Sequence, residues 1–302
     1  MRAPREFDSE VYLEISRDGE MLSCFMGRTA KPGAPGYEKN RDFFEGDFEV
    51  LPQYRRQGIG SMWLPVALSL LDRHGCRMLD LWTEEEDGHR FLRRIAGEPK
   101  FHAAENRLRL ADVDWSMVRR WVEEGERRSP ETRLEVYDGP MPDSMLDEYA
   151  PQLSGLLNTI PFEELDHGEI VITPATMREW FARMAATGST MHTILTREPD
   201  GSMSGMTDVS YTRHQPTLIH QMFTGVRPDA RGRGLGKWLK AAMLEKIHAD
   251  YPNVEWWITG NAESNAPMLS INRRLGFKQY RAGAQYQVSR DRLAEIVEAR
   301  RP

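Results

Sequence analysis

Two cysteines in 302 residues, Cys24 and Cys76, are too few for a disulfide framework, and they stand outside any CxxC spacing that would hold zinc. Each reads as a small buried hydrophobe. A reducing cytoplasm is the expected compartment, and no metal is expected. Long apolar runs are also missing. None approaches the length that spans a bilayer, and the polar stretch from Met1 to Glu10 lacks the apolar core of a signal peptide. Charge of one sign is lacking too. With 40 basic against 46 acidic residues, the net charge of −6 gives no footprint for nucleic acid and no polybasic patch for a membrane. What remains is an ordinary globular composition, long enough for two domains with a core each.

What is present is one turn written twice. The first copy reads Val50-Leu-Pro52-Gln-Tyr-Arg55-Arg-Gln-Gly58-Ile-Gly60, and the second Val226-Arg-Pro228-Asp-Ala-Arg231-Gly-Arg-Gly234-Leu-Gly236. Each follows an apolar, strand-like run and opens a segment of helical period. Glycines at such a junction let the backbone approach a diphosphate, and a helix N-terminus offers free N–H groups and partial positive charge.

Apolar periodicity places these turns. Residues 11–16 and 21–28 alternate about Gly19, a hairpin pattern. A strand near 43–50 leads to the first turn and to a helix burying Trp63, Leu64, Ala67, Leu68 and Leu71. A strand at 78–82, a charged helix at 86–95, and short strands near Phe101 and Leu108 follow. Asp114 then caps a further helix. The charged stretch 123–131 contains Gly125 and Pro130, has no apolar period, and reads as the boundary between domains 1–128 and 129–302. The second half opens with a strand at 134–137, a helix at 143–157, an acidic loop at 162–169, and a helix capped by Thr173 with Pro174 in first position. It then repeats the first half's plan: strands at 190–197, 203–211 and 217–226, the turn, a helix to 249, a strand at 254–259, and a helix closed by Gly276. The first half lacks the leading strand and helices, and so reads as an incomplete copy.

Two familiar glycine motifs fail at the second turn. A Walker loop needs Ser or Thr after its lysine, and Trp238 follows Lys237. A dinucleotide fingerprint needs a third glycine where Lys237 stands.

The turn, the junction Asn261-Ala-Glu-Ser-Asn265 and the helix end Leu275-Gly276-Phe277 together resemble the GNAT superfamily of acyl-CoA N-acyltransferases. The resemblance is close over 132–290 and looser over 11–110, and is greatest to the tandem, two-domain members. It implies an α/β fold, a mixed-sheet sandwich with two GNAT-like domains in tandem, the first incomplete or degenerate. It also implies acetyl-CoA. The diphosphate would lie on the amides from Arg231 through Gly232, Arg233, Gly234 and Leu235 to Gly236, with Lys237 alongside and both arginines adding charge. The pantetheine arm would pair along the strand near Val226, whose N–H would face the thioester oxygen. Asn261 and Asn265 would lie on the cofactor side, Asn265 serving also as a helix N-cap.

Catalytic residues are where the chain departs from that family. Many members place a tyrosine seven positions after the asparagine that matches Asn265, to protonate the leaving thiolate. Here that position is Asn272, which cannot act as an acid. Tyr286, or else Tyr280, is the substitute, unless the thiolate leaves unaided. His220 is the expected general base, and serotonin acetyltransferases carry a histidine at the corresponding position. The plain alternative is a strand histidine on an outer face. Glu163, Glu164, Asp166 and Glu169 suit an acidic rim for a cationic acceptor. In the first copy, Glu84 to Asp87 replace the junction asparagines and would repel phosphates if they pointed inward, so that half reads as structural or regulatory.

The function expected is direct transfer of acetyl from acetyl-CoA to a primary amine of a small molecule or peptide. No serine or cysteine stands with a partner base as a nucleophile. The rival is a non-catalytic acyl-CoA-binding sensor or assembly module. No nucleic-acid or membrane partner is expected, and a monomer would suffice as a pseudo-dimer.

Overall fold

The structure, a computed structural model, describes residues 5 to 300. In chain order the elements are β1 (Asp8–Arg17), β2 (Glu20–Ala30), α1 (Tyr37–Asn40), β3 (Phe43–Val50), α2 (Ile59–His74), β4 (Met78–Thr83), α3 (Glu86–Ala96), β5 (Phe101–Arg109), α4 (Trp115–Arg128), β6 (Arg133–Asp138), α5 (Leu146–Leu157), α6 (Pro174–Ala186), β7 (Ser189–Arg197), β8 (Met203–Thr212), β9 (Leu218–Val226), α7 (Leu235–Asp250), β10 (Trp256–Ala262), α8 (Ala266–Leu275), β11 (Lys278–Ser289) and α9 (Arg290–Glu298). This is the mixed α/β class expected.

Contacts divide the chain into two units, and not at the boundary expected between 128 and 129. The first unit runs to His102 and adds Phe162–Glu169 and the chain from Gly283 onward. The second holds Ala103–Pro161 and Ile170–Ala282. The closing strands account for the difference. Residues Ala103 to Arg109 of β5 pair antiparallel with β10 of the second unit. Residues Ala284 to Ser289 of β11 pair antiparallel with β4 of the first. Each half's last strand therefore completes the other half's unit.

In the first unit, β1, β2 and β3 are antiparallel neighbours and β3 runs parallel to β4. Helix α2 buries Trp63, Leu64, Ala67, Leu70 and Leu71, one stripe at helical spacing, and Gly75 closes it in the left-handed conformation. These side chains meet Phe25, Phe44, Leu79, Tyr286 and Val288 in a single core.

In the second unit, β6 to β9 are antiparallel in sequence order, and β9 runs parallel to β10. The sheet is covered on both faces. Ile194 joins Leu239, Met243, Ile247 and Trp257 in one core, while its neighbour Leu195 joins Leu146, Tyr149, Met177 and Met206 in the other, because successive strand residues point to opposite faces. Helix α4 runs through the stretch read as a linker. A Cβ on Gly125 would lie 2.2 Å from Cγ of Trp238, so the glycine is a close helix crossing and not a break.

Both units part their central strands. Strand β9 pairs with β10 only from Leu218 to Gln221, although it continues to Val226. A bulge against β8 at this point leaves Met222 as the extra residue. In the first unit β3 pairs with β4 only from Phe43 to Gly46 and continues to Val50.

Candidate functional site

The second turn joins the end of β9 to the start of α7. Arg231 donates its Nε to the Val226 carbonyl at 3.2 Å, which ties the turn to the strand end. Gly232 and Gly234 hold φ of 82° and 89°, the left-handed region that glycine enters without a Cβ penalty. Gly234 is the N-cap of α7 and gives no side-chain cap. Among the described residues, the backbone amides from Gly232 to Gly236 meet no protein acceptor. A Cβ on Gly232 would find nothing within 4 Å. These are the elements of an anion cradle: open amides, a helix N-terminus and space.

The strand end points the same way. Arg227 N donates to Ser204 O at 2.8 Å. Val226, opposite Gly205 in the register, therefore turns its own N–H away from β8, toward the side from which β10 has diverged. A Cβ on Gly236 would stand 3.4 Å from Cδ1 of Ile271 and 3.8 Å from Cγ2 of Val226, so these three close one end of the groove.

Charge at the turn differs from expectation. Arg233 donates to Glu198 at 2.9 Å and to Thr132 Oγ1 at 2.5 Å, which pins the turn and pairs its charge with a carboxylate. Lys237 lies 3.7 Å from Glu124. Arg128, which sequence reasoning missed, donates to the Gly232 carbonyl at 2.9 Å, and its Nη1 stands 3.3 Å from where a Gly234 Cβ would be. It closes α4, and nothing in its own sequence neighbourhood signals the turn it reaches.

The junction asparagines divide by role. Asn265 accepts from Met268 N at 3.3 Å and caps α8. Asn261 Oδ1 accepts from Asn272 Nδ2 at 2.7 Å and from Asn106 Nδ2 at 3.5 Å. Asn272 is 2% exposed, and its Oδ1 accepts from Lys240 Nζ at 2.7 Å. Burial of Lys240 lowers its pKa to about 7.

His220 lies on β9 opposite Ser210 of β8 and Ile258 of β10. Its neighbour Gln221 bonds Thr207 on the other face. Burial lowers the His220 pKa, Glu105 opposes that and Arg107 adds to it, so the basic form is favoured. Tyr286 and His220 belong to different units. The tyrosine sits in the first unit opposite Leu81 of β4, fully buried, with its hydroxyl 2.9 Å from His89 Nδ1. The exchange of closing strands puts it there, and burial raises its pKa. Tyr280 remains in the second unit with the Arg107 guanidinium 3.4 Å above its ring. The acidic loop also belongs to the first unit. Glu164 pairs with Lys100 at 3.3 Å, Glu163 accepts from His102 N at 3.1 Å, and Asp166 N donates to Gln287 at 2.8 Å. It forms no acceptor rim within the second unit.

The first turn repeats the second. Arg55 Nε reaches the Val50 carbonyl at 3.1 Å. Gly58 holds φ of 82°, but Arg56 holds 62° where the second copy has Gly232. Among the described residues the amides from Arg56 to Gly60 likewise meet no protein acceptor. The acidic run beside it does not face bare phosphate positions. Glu85 lies 3.4 Å from Arg55, and Asp87 lies 3.2 Å from Arg56. Asp47 and Glu49 stand on the diverging part of β3, and burial with Glu49 raises the Asp47 pKa. Their alternation with Phe48 and Val50 was the signal that could have marked them.

Residues 2–97 match the family model described as acetyltransferase (GNAT) family, and this is the half read as an incomplete copy. Among solved structures, the chain is similar to a tandem GNAT protein from the clavulanic acid biosynthesis pathway, determined without AcCoA. The TM-score is 0.70 at 22% identity, over 96% of this chain and 85% of that one. It is also similar to a GCN5-related N-acetyltransferase from Sphaerobacter thermophilus, with a TM-score of 0.61 at 13% identity, over 90% of this chain and 78% of that one. No curated protein matches in sequence. At these identities the structural likeness establishes the fold, which is the tandem GNAT fold.

Proposed function

We propose, from the premise that the chain is a tandem GNAT protein, that it transfers acetyl from acetyl-CoA to a primary amine, with the cofactor on the second unit's turn. The GNAT match supports the coarser statement, acyl-CoA-dependent acyl transfer. The observation that carries the finer one is the cradle of open amides from Gly232 to Gly236 at the N-terminus of α7. Arg231 adds positive charge on its rim, and Arg128, itself paired with Glu124 at 3.3 Å, holds the Gly232 carbonyl. Beyond Gln221 the parted strands leave room for an amide-bearing arm beside β9, with the Val226 N–H directed into it as an oxyanion donor.

In the step itself, the amine nitrogen forms a bond to the thioester carbonyl carbon, the carbon–sulfur bond breaks, and the electron pair leaves on the coenzyme A sulfur. The amine's proton passes to His220 directly or through water. The sulfur takes no proton from Asn272, which is locked in the core. A thiol of ordinary pKa leaves as thiolate near neutrality. The acceptor is read as a small-molecule or peptide amine, and the compartment as cytoplasmic. Among the described residues no helix is long and apolar enough to cross a membrane, and no cluster of His, Cys, Asp or Glu is arranged to hold a metal ion.

A second reading places an acyl-CoA on the first turn. It is favoured by the family match over residues 2–97 and by the open amides from Arg56 to Gly60. Calorimetric titration of acetyl-CoA into the full chain and into Arg231→Ala and Arg55→Ala variants separates the two, and thiol release across an amine panel tests turnover. Binding lost only in Arg55→Ala would reverse the assignment.

A further inference from the structure

We infer that Lys240, in its ammonium form, and Asn272 are positioning residues that turn the NH2 group of the Asn261 side-chain amide to the groove where β9 and β10 part. The inference rests on the proposed acyl-CoA site in the second unit and adds a polarity to it.

The chain of bonds has one permitted direction. Lys240 lies on α7, is 3% exposed, and reaches a single hydrogen-bond acceptor among the described residues, Asn272 Oδ1 at 2.7 Å. The Phe277 ring lies 5.1 Å from Nζ. Below about pH 7 Lys240 is an ammonium, which brings donors and no acceptor, so Asn272 turns its oxygen to Lys240. That leaves the Asn272 NH2 to donate to Asn261 Oδ1 at 2.7 Å. Asn106, from β5, donates to the same oxygen at 3.5 Å. With its oxygen taken from both sides, Asn261 has only its NH2 left to turn outward, and among the described residues that group meets no acceptor.

The place of Asn261 gives this polarity a use. It lies on β10 beyond Thr259, where pairing with β9 has ended, and it is half-buried. Its partners α7 and α8 also bring Gly236 and Ile271 to the same groove. The chemistry recognised is a hydrogen-bond acceptor, an amide or thioester carbonyl of an extended acyl-carrier arm. An asparagine free to flip would meet such a carbonyl with oxygen part of the time. A buried lysine is costly, and here its reach ends on the one group whose orientation it dictates.

The test has a ligand-free arm and a binding arm, both on the full chain at pH 6. In the chain with nitrogen-15 asparagine and no ligand, the side-chain NH2 of Asn272 should be protected from exchange and that of Asn261 should exchange freely. The reverse pattern overturns the inference whatever the chain binds. In calorimetry with acetyl-CoA, Asn261→Asp keeps both internal bonds and replaces the outward donor, and should weaken binding at least about tenfold. Asn272→Asp still accepts from Lys240 but cannot donate to Asn261, and should give the same loss. Lys240→Met should weaken binding in the parent and add nothing in the Asn261→Asp background. Equal binding by Asn261→Asp, or additive losses in the double variant, overturns the inference. Absence of binding by the parent itself counts against the acyl-CoA site, and the exchange pattern then decides the polarity separately.

Discussion

Arg231 Nε lies 3.2 Å from the carbonyl oxygen of Val226, so one side chain both ties down the strand end and sets a guanidinium at the rim of the amide cradle. Its remaining N–H groups are the charge available to a diphosphate. Arg231→Ala should weaken acetyl-CoA binding by about 1–3 kcal/mol, the range for a charge-assisted contact. Calorimetry at fixed ionic strength checks this, and unchanged affinity would remove Arg231 from the site.

The two turns differ in strain. Gly232 has φ of 82° with nothing near an added Cβ, while Arg56 takes 62° at the matching place. Gly232→Ala should cost roughly 1 kcal/mol through backbone conformation alone. Arg56→Gly should not lose comparable stability, since strain relief offsets the added chain entropy and the exposed Asp87 contact. Denaturant midpoints of both variants measure the difference. Equal losses would show that the turns are not conformational copies.

The glycine turns were legible because they depend on local chemistry: a strand end, left-handed positions and a helix start lie within a few residues. The covering helices were legible for the same reason, as with Trp63, Leu64 and Ala67 on α2 or the Thr173 cap of α6. Which unit a closing strand completes was not. The sequence marked only short strands near Phe101 and Leu108, and the choice of partner between β4 and β10 for β5 and β11 is a tertiary one. Tyr286 and the acidic loop from Glu163 to Glu169 fall in the first unit for that reason. Lys240 was invisible for a different reason. A lysine in a helix normally faces water, and only the packing of α7 on α8 turns this one inward.

Lys240 makes stability depend on pH in a defined direction. Its pKa is about 7 when folded, against the ordinary lysine value when unfolded. Between these values the unfolded chain holds a proton that the folded chain has released, so raising the pH favours the folded state. Lys240→Met should therefore be more stable than the parent at pH 7, with the gap closing toward about pH 10. Chemical denaturation across that window checks it. A gap independent of pH would mean that Lys240 is not desolvated.

Tyr286 should behave as a core phenol. Its hydroxyl meets His89 Nδ1 at 2.9 Å in the first unit. Tyr286→Phe should cost about 1 kcal/mol of stability, the usual worth of a buried hydrogen bond, and leave kcat within about twofold, since a change of that size is under 1 kcal/mol in barrier. A large fall in kcat with stability intact would restore it as an acid.

The central claim is that the second turn, not the first, holds the acyl-CoA diphosphate. A crystal structure of the full chain grown with acetyl-CoA tests it most directly. The account predicts diphosphate density against the amides from Gly232 to Gly236, with the thioester beside Val226. Diphosphate density against the amides from Arg56 to Gly60, with the second turn bare, would contradict it.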